Sequence, residues 1–294
     1  MTAVAPTPPL GHRRSRLRDA YIVSERGLFG ALSIVLFLVA WEGLSRGWWA
    51  NLLHPLLGNA ADSLRIRPIF LAAPTRIAEI AYQLYFVTGE MWRHLGLSGL
   101  EFLVAFAIAA ALGIPAGLVS GRYKTLSDAT DPLLAALNAT PQVAFLPLVV
   151  LWVGVGLPAR IFIIALLMIV PILINANAAV RTVDPKLLRL AKSVGASERQ
   201  VFRTIILPAS APFLLAAVRL AIGRGMVGIV VGELYGGAIG VGVMINRAGA
   251  TFHTAEVFVG VLTIVAVGLI LSEIVRRVER RVEIWRPQAV DQRP

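Results

Sequence analysis

Two arginines lie inside a long apolar run, where a charge is expensive to keep. Arg219 and Arg224 interrupt the apolar segment 209–232. A charged residue in a membrane span usually faces the bundle interior or a water-filled path, where a guanidinium could pass an anion. The alternative is structural: a pair with Glu233 or Glu256, a helix C-terminus or a dimer contact. The two arginines are five residues apart, about 140° around a helix, so they cannot both face the same side.

Depth in the span separates the two arginines as candidates for a substrate pathway. If the span starts near Pro208, Arg219 lies about 16 Å in and Arg224 about 24 Å in. Gly223 and Gly225 flank Arg224 and leave space around its guanidinium. If the substrate is an anion, Arg224 is therefore the better candidate to sense it, and Arg219 is expected to pack against a helix or a second subunit. The other pathway candidates are polar residues in or beside apolar runs, namely Asn175, Asn177 and Glu233. The two asparagines could instead form hydrogen bonds between helices, as such residues commonly do.

Several kinds of active site are absent from the sequence. There is no Gly-Lys pair, so the chain lacks the loop that cradles phosphates in P-loop ATPases. The spelling Gly223-x-Gly225-x-x-Gly228 matches a dinucleotide fingerprint, but it lies in an apolar span and predicts close helix packing instead. The four histidines have no metal-ligand spacing, and there is no cysteine. We therefore predict a non-catalytic chain with no bound cofactor and no metal site.

Composition places the chain in the membrane class. Of its 294 residues 57% are hydrophobic and only 15% are charged, and the mean hydropathy is +0.74. The formal net charge of +11 would suggest nucleic acid in a soluble protein. Here the basic residues lie in tails and loops between apolar runs, which fits membrane topology and anionic lipid better.

The apolar runs predict about six transmembrane helices. A kinked span is expected where Pro141 and Pro147 fall in an uncharged run, and an outer glycine-rich loop from Glu233 to Ala255. An additional helix outside the membrane is expected from Pro74 to Val87. The predicted spans are about 28–45, 95–120, 130–153, 160–180, 208–232 and 256–276, between basic cytoplasmic tails at 1–26 and 282–294.

The distribution of Lys and Arg predicts the orientation. With the N-terminus inside, 19 of the 28 basic residues lie in inner segments, seven in outer segments and two in the fifth span. Cytoplasmic segments carry such an excess of basic residues. Both termini and the polar stretch between the fourth and fifth spans are therefore predicted to be cytoplasmic.

That polar stretch, 184–207, organises the chain. Asp184 can cap a helix that has Pro185 at its first position. One apolar face is predicted for this helix, and Gly195 should end it in the left-handed conformation. A capping box then starts a second short helix, which Leu207-Pro208 should end. The apolar face comprises Leu187, Leu190, Ala191 and Val194; Lys186, Arg189 and Lys192 lie opposite, and Ser197 and Gln200 form the box.

The spacing within this stretch resembles the signature loop of ABC importer permeases. That signature reads E-A-A, three residues, G, nine residues, I-x-L-P, and Ala191, Gly195, Ile205 and Leu207-Pro208 match it. The runs VRTVDPKLLRLAKSVGAS, TPQVAFLPLVVLWVGVG and PILINANAAVRTVDP look like the nitrate/sulfonate/taurine branch. Arg189 stands where the general signature has Glu.

The resemblance implies the rest of the assignment. The expected fold is an all-α membrane protein of the type I importer permease class, with a permease domain at 27–281 and a cytoplasmic coupling helix. The coupling residues would be Asp184, Pro185, Leu188, Ala191, Val194, Gly195 and Ala196.

The resemblance also implies partners, location and substrate class. The chain would form a homodimer in lipid in the bacterial inner membrane. It would bind a separate ATPase subunit that carries ATP-Mg, and a periplasmic or lipoprotein binding protein. The expected cargo is a small anion such as nitrate, a sulfonate or taurine. The alternatives are an ABC permease for another small organic solute, or a secondary transporter acting alone.

Overall fold

The structure, a computed structural model, is all-α over the residues it describes, which are 12–58, 66–67, 69–235 and 237–283. Short π-turns cover Gln83–Val87 and Phe202–Ile206, and a 3₁₀ turn covers Gln142–Phe145. The α-helices are α1 (His12–Arg46), α2 (Trp48–Leu57), α3 (Pro74–Tyr82), α4 (Glu90–Arg122), α5 (Lys124–Ala139), α6 (Leu146–Val153), α7 (Leu157–Arg181), α8 (Pro185–Ser193), α9 (Glu198–Val201), α10 (Leu207–Leu234), α11 (Val241–Ala250) and α12 (Thr254–Glu283).

Five of the described helical segments are long and apolar enough to cross a membrane. A sixth crossing results if the bent pair of α5 and α6 counts as one span. Most of the C-terminal tail predicted at 282–294 and the first part of the N-terminal tail predicted at 1–26 lie outside the described residues, namely at 284–294 and 1–11. The remainder of the predicted N-terminal tail belongs to α1, which begins at His12. The five segments are Leu28–Arg46, Glu90–Arg122, Leu157–Arg181, Glu198–Leu234 and Thr254–Arg281.

The chain divides into two compact units, residues 1–79 and 80–294. In the first unit, the side chains of residues 28–40 on α1 are exposed, as expected of an apolar helix that meets lipid or another subunit. The Glu42 carboxylate accepts hydrogen bonds from the backbone N–H of Thr75 at 3.1 Å and from its hydroxyl at 2.7 Å. Arg46 pairs with the same carboxylate. Glu42 thus satisfies an open N–H in the first turn of α3.

In the second unit, α4 packs closely along α7 through a row of glycines. A Cβ at Gly117 would lie 2.6 Å from the carbonyl oxygen of Leu173, and one at Gly113 would lie 3.0 Å from Ile172. The Gly113, Gly117 and Gly121 spacing predicts such an approach, and the structure confirms it. The buried core of the unit lies where α4, α7 and α10 meet, around Phe102, Met168 and Ile222.

The glycines of α10 also serve packing. A Cβ at Gly225 would lie 2.8 Å from the ring of Phe102, and one at Gly228 would lie 3.1 Å from the Cα of Ile164. This confirms that the dinucleotide-like spelling is a packing motif. Gly223 differs, since no described atom outside its own helix turn lies within 4 Å of its Cβ position.

The structure departs from three sequence expectations, and the first two have a backbone reason. The kinked span is a break: α5 and α6 meet at 89°, because Pro141 disfavours helix at Thr140 and donates no N–H. Leu207-Pro208 ends no helix; the π-turn just before it accommodates the proline, and the helical segment runs on to Leu234. The predicted outer loop contains α11.

Candidate functional site

The candidate site is the turn between α8 and α9, and local hydrogen bonds determine its shape. The Asp184 side chain accepts the backbone N–H of Lys186 at 2.8 Å and so caps α8. At the other end Gly195 has φ 76°, and the N–H of Ala196 reaches back to the carbonyl of Ala191 at 3.0 Å. This is a Schellman closure, and it needs glycine because a side chain is costly at that φ.

The second short helix begins through the predicted capping box. The N–H of Ser197 donates to the side-chain oxygen of Gln200 at 2.7 Å, and the N–H of Gln200 donates to the Ser197 hydroxyl at 3.4 Å. Both ends of the α8–α9 turn are therefore built from local contacts. Two short helices follow one another with only Val194 to Ser197 between them.

One face of this segment packs onto the ends of the membrane helices. Ala191 is buried in a cluster with Leu118 of α4 and Val180 of α7, and Leu188 and Ala196 pack against it. The rest of the cluster comprises Ala176, Val201 and Ile206. This cluster places α8 against the ends of α4 and α7.

A second apolar face of α8 points away from the protein. Leu187, Leu190 and Val194 are 49%, 61% and 74% exposed. The prediction of a single face that joins these residues to Ala191 is therefore wrong, because α8 has apolar residues on two sides. Three large exposed apolar side chains on one short helix are typical of a protein-binding surface. The three cations of the same helix, Lys186, Arg189 and Lys192, are exposed as well.

Ion pairs connect this segment and its neighbours to the membrane helices. One Arg122 nitrogen at the end of α4 lies 2.8 and 3.0 Å from the two carboxylate oxygens of Glu198, the first residue of α9. Arg181 at the end of α7 pairs with Asp131 of α5 at 2.5 Å. Exposed pairs stabilise little by themselves. Their effect here is to fix the orientation of the loops at this end of the bundle.

The predicted pathway residues lie apart in different surroundings. Arg224 is exposed and forms no ion pair with any described residue, whereas Arg219 pairs with Glu279 of α12. Asn177 is buried and donates to the Ser120 hydroxyl of α4 at 2.9 Å. Asn175 donates to the carbonyl of Pro171, one turn back in its own helix.

Glu233 belongs to a buried polar group, which we call the carboxylate cluster, at the end of the bundle opposite α8. Arg160 of α7 lies 2.6 Å from Glu101 of α4, and both are buried. Glu233 of α10 accepts hydrogen bonds from the Ser98 hydroxyl and from the N–H of Gly242, each at 2.5 Å. The cluster consists of His94, Ser98, Glu101, Arg160 and Glu233.

Side chains of the carboxylate cluster accept hydrogen bonds from the backbone at the start of α11. The N–H of Gly240 donates to Nδ1 of His94 at 3.0 Å, and the N–H of Val241 donates to the Ser98 hydroxyl at 2.9 Å. A Cβ at Gly242 would lie 3.0 Å from Glu233, so the backbone can approach this closely only with glycine. Three consecutive N–H groups of the first turn are thus satisfied by side chains.

Residues 113–284, which contain the α8–α9 turn, match the family model described as binding-protein-dependent transport system inner membrane component. The chain belongs to this family. The permease is 33% identical over 242 residues to the taurine transport system permease protein TauC of Escherichia coli strain K12, covering 81% of this chain and 85% of that one. It is 34% identical to the putative aliphatic sulfonates transport permease protein SsuC of Bacillus subtilis strain 168, covering 82% and 88%.

Other similarities are more distant. The permease is 27% identical to the nitrate import permease protein NrtB of Synechocystis, covering 93% of this chain and 95% of that one. A solved structure titled as an inward-facing conformation of the MetNI methionine ABC transporter matches with a TM-score of 0.52 and 20% identity, covering 68% of the permease and 97% of that chain. At this identity the match shows the type I importer permease fold and no more.

Family membership confirms several sequence predictions. The permease is the multi-pass inner-membrane subunit of an ATP-driven importer. ATP is hydrolysed by a separate ATPase subunit, and a binding protein delivers the substrate. Because the family works with these partners, the alternative of a secondary transporter acting alone does not apply.

Sequence reasoning missed most of the carboxylate cluster of the permease. Glu101 lies inside the predicted span 95–120 and Arg160 is the first residue of the predicted span 160–180, but neither was among the predicted site residues. The helices in fact extend past them, since α4 begins at Glu90 and α7 at Leu157. A charged residue within a few positions of an uncharged run of membrane length was the signal that could have identified them.

Proposed function

We propose that the permease imports a small oxyanion of the sulfonate, taurine or nitrate type. The proposal rests on relatives whose names state those substrates, two of them at 33% and 34% identity over four fifths of the chain. Their selectivity resides partly in a separate binding protein, so the permease must accept what that protein releases.

The coupling step follows from the exposed face of α8. We propose that Leu187, Leu190 and Val194 insert into a groove of the ATPase subunit, which binds ATP-Mg. The observation that carries this is the exposure of three large apolar side chains on a helix whose other side is packed on α4 and α7. Asp184, Pro185 and Gly195 shape the helix, and Leu188, Ala191 and Ala196 transmit its movement inward.

We further propose that two copies of the chain pair in lipid, with α8 and both termini in the cytoplasm. The excess of basic residues on that side supports the orientation. The carboxylate cluster then lies near the periplasmic end, since α7 and α10 run from it to the two ends of the α8–α9 segment.

Arg224 is the proposed anion-sensing residue. Its exposure, its lack of an ion pair among the described residues, and the open space beside Gly223 support this role. Asn175, Asn177 and Glu233 already have hydrogen-bond partners, which favours a structural role for each of them.

The substrate proposal is tested with the permease, its ATPase and its binding protein in proteoliposomes. Taurine, an alkanesulfonate and nitrate are offered in turn, and ATP-dependent uptake of at least one is expected. A second candidate is an uncharged organic solute, because the riboflavin transport system permease protein RibX of Chloroflexus aurantiacus is 32% identical over 67% of the chain. Uptake of riboflavin with no uptake of the three anionic or zwitterionic compounds would contradict the first proposal.

A further inference from the structure

The hydrogen bonds of the carboxylate cluster determine which of its two acids is ionised. Ser98 has a single hydroxyl hydrogen, and it goes to Glu233, because the same oxygen accepts the N–H of Val241. The other oxygen of Glu233 accepts the N–H of Gly242. Glu233 is 1% exposed and sits at the N-terminal end of the ten-residue helix α11. Hydrogen bonds accepted by both oxygens, at a positive helix end, favour the ionised form of Glu233 over that of Glu101.

Glu101 has very different surroundings. It is fully buried, with 0% exposure, and pairs with Arg160. Its two oxygens receive no well-aligned hydrogen bond from any described residue. Ser98, three residues before Glu101 on α4, binds Glu233, so the carboxylate of Glu233 lies beside Glu101 and acts on it electrostatically. If both acids were ionised, one guanidinium would face two negative charges inside an apolar bundle, and such an unpaired buried charge is strongly unfavourable.

We propose that Glu101 is a proton-binding site and that its carboxyl group is neutral in the resting permease. The bound proton makes the carboxylate cluster electrically neutral, with Glu233 negative and Arg160 positive. The Glu101 hydroxyl donates towards Glu233, and its carbonyl oxygen faces Arg160. The neutral cluster keeps the first turn of α11 seated against α4 and α10. This inference does not depend on the identity of the transported substrate.

The charged groups near Glu101 come from two other helices. Helix α7 contributes Arg160 and α10 contributes Glu233, while the N–H groups of residues 240–242 are taken up by His94, Ser98 and Glu233. On α4 itself His94 lies further out; its Nδ1 accepts a hydrogen bond, so its other nitrogen carries the hydrogen and faces Glu90 at 3.6 Å.

A cavity of about 190 Å³ adjoins His94, at the outer side of the carboxylate cluster, and its wall contains further titratable groups. The titratable residues of the cavity wall are Glu90, His94, Arg247, His253 and Glu256.

Infrared spectroscopy on the complete permease–ATPase complex in nanodiscs tests the proton directly. A buried protonated carboxyl has a carbonyl stretch separate from that of carboxylates and amides. We expect this band in the native protein and its loss in Glu101→Gln. A band that persists in Glu101→Gln, or one that disappears only in Glu233→Gln, would place the proton elsewhere and overturn the proposal.

A pair of matched amide variants provides the second test. Glutamine at 101 can accept from Arg160 and donate towards Glu233, as the neutral acid does. Glutamine at 233 has only one acceptor oxygen, so it cannot accept from both the Ser98 hydroxyl and the Gly242 N–H, and one of these two donors loses its acceptor. The two variants therefore differ in the match of donors to acceptors and in charge, since only Glu233→Gln removes a negative charge from the cluster.

A cysteine in place of the buried Val243 of α11 measures how tightly this helix packs, because the thiol reacts only when the helix moves away from its neighbours. The native chain has no cysteine, so no other residue is labelled. Maleimide labelling of Glu101→Gln should stay within about threefold of the native rate. Labelling of Glu233→Gln should be at least about tenfold faster, because one buried donor is left unsatisfied. Equal acceleration in both variants would show that Glu101 is needed as a charge, and the proposal would fail. If Glu233→Gln does not fold, the infrared comparison with Glu101→Gln still decides the question.

Discussion

Arg219 of α10 is paired with Glu279 of α12 across two membrane helices, while Arg224, five residues further along α10, meets no charged partner among the described residues. The pair compensates the charge of a partly exposed guanidinium within a membrane helix, where ionisable groups are commonly paired. The two arginines of α10 are therefore expected to have different roles.

Substitution of Arg219 should impair assembly. Arg219→Gln removes the pair with Glu279, and we expect a loss of about 1 kcal/mol in stability, given the partial exposure of the arginine. Glu279→Gln should give the same loss, and combining the two should add little further, because they remove one interaction. The measurement is the thermal unfolding of the purified permease. Additive effects of the two substitutions would show that the pair contributes nothing.

Substitution of Arg224 should impair transport and leave assembly intact. Arg224→Gln keeps a polar side chain but removes the charge, so anion uptake should fall by about tenfold if the guanidinium offsets one substrate charge. Basal ATPase activity of the complex should remain. Arg224→Lys is the matched control and should keep most of the uptake. Normal uptake by Arg224→Gln would move the anion-sensing role to another residue.

The left-handed turn at Gly195 should be essential for coupling. No described atom lies near its Cβ position, so the effect of a substitution is conformational, about 1–2 kcal/mol for a residue forced to positive φ. Gly195→Val should therefore lower ATP-driven uptake while the protein still inserts and binds lipid. Gly195→Asn is the control, because asparagine tolerates this conformation. Equal uptake by the two variants would contradict the assignment of this turn as the coupling element.

The two apolar sides of α8 should respond differently to truncation. Leu190→Ser lies on the exposed side, so the permease alone should keep its stability while its affinity for the ATPase falls by about tenfold, as the loss of one buried leucine predicts. Leu188→Ala lies on the packed side and should destabilise the permease itself. Thermal unfolding of the permease and a binding titration with the ATPase separate these outcomes. A destabilised Leu190→Ser permease would mean that this face is covered within the chain.

Cysteine labelling in intact cells tests the orientation. Ser197 caps α9, so the neighbouring exposed residue Arg199 is the better inner position, and Ala238 is exposed in the loop before α11. Arg199→Cys should react only after the membrane is made permeable, and Ala238→Cys should react from outside. The native chain has no cysteine, so background labelling is absent. The opposite pattern would reverse the topology derived from the basic residues.

The sequence alone predicts those structural features whose contacts are formed between residues close together in the chain. The Asp184 cap, the capping box and the left-handed Gly195 depend on groups within a few residues of each other, so spacing predicts them. The same holds for the Gly113, Gly117 and Gly121 row, because a four-residue repeat marks one side of a helix whatever it packs against. The family followed from the same stretch.

Tertiary structure decided which side of each helix is covered and which charges meet. Helical periodicity grouped Leu187, Leu190 and Ala191 together, but only the position of α4 and α7 determines that Ala191 is buried and the leucines are exposed. Glu101 and Glu233 are 132 residues apart in the chain, as their numbers show, and Arg160 lies between them. No local pattern relates such residues, because they meet only when three helices pack together. The same packing buries them, and burial determines how many of their charges can coexist.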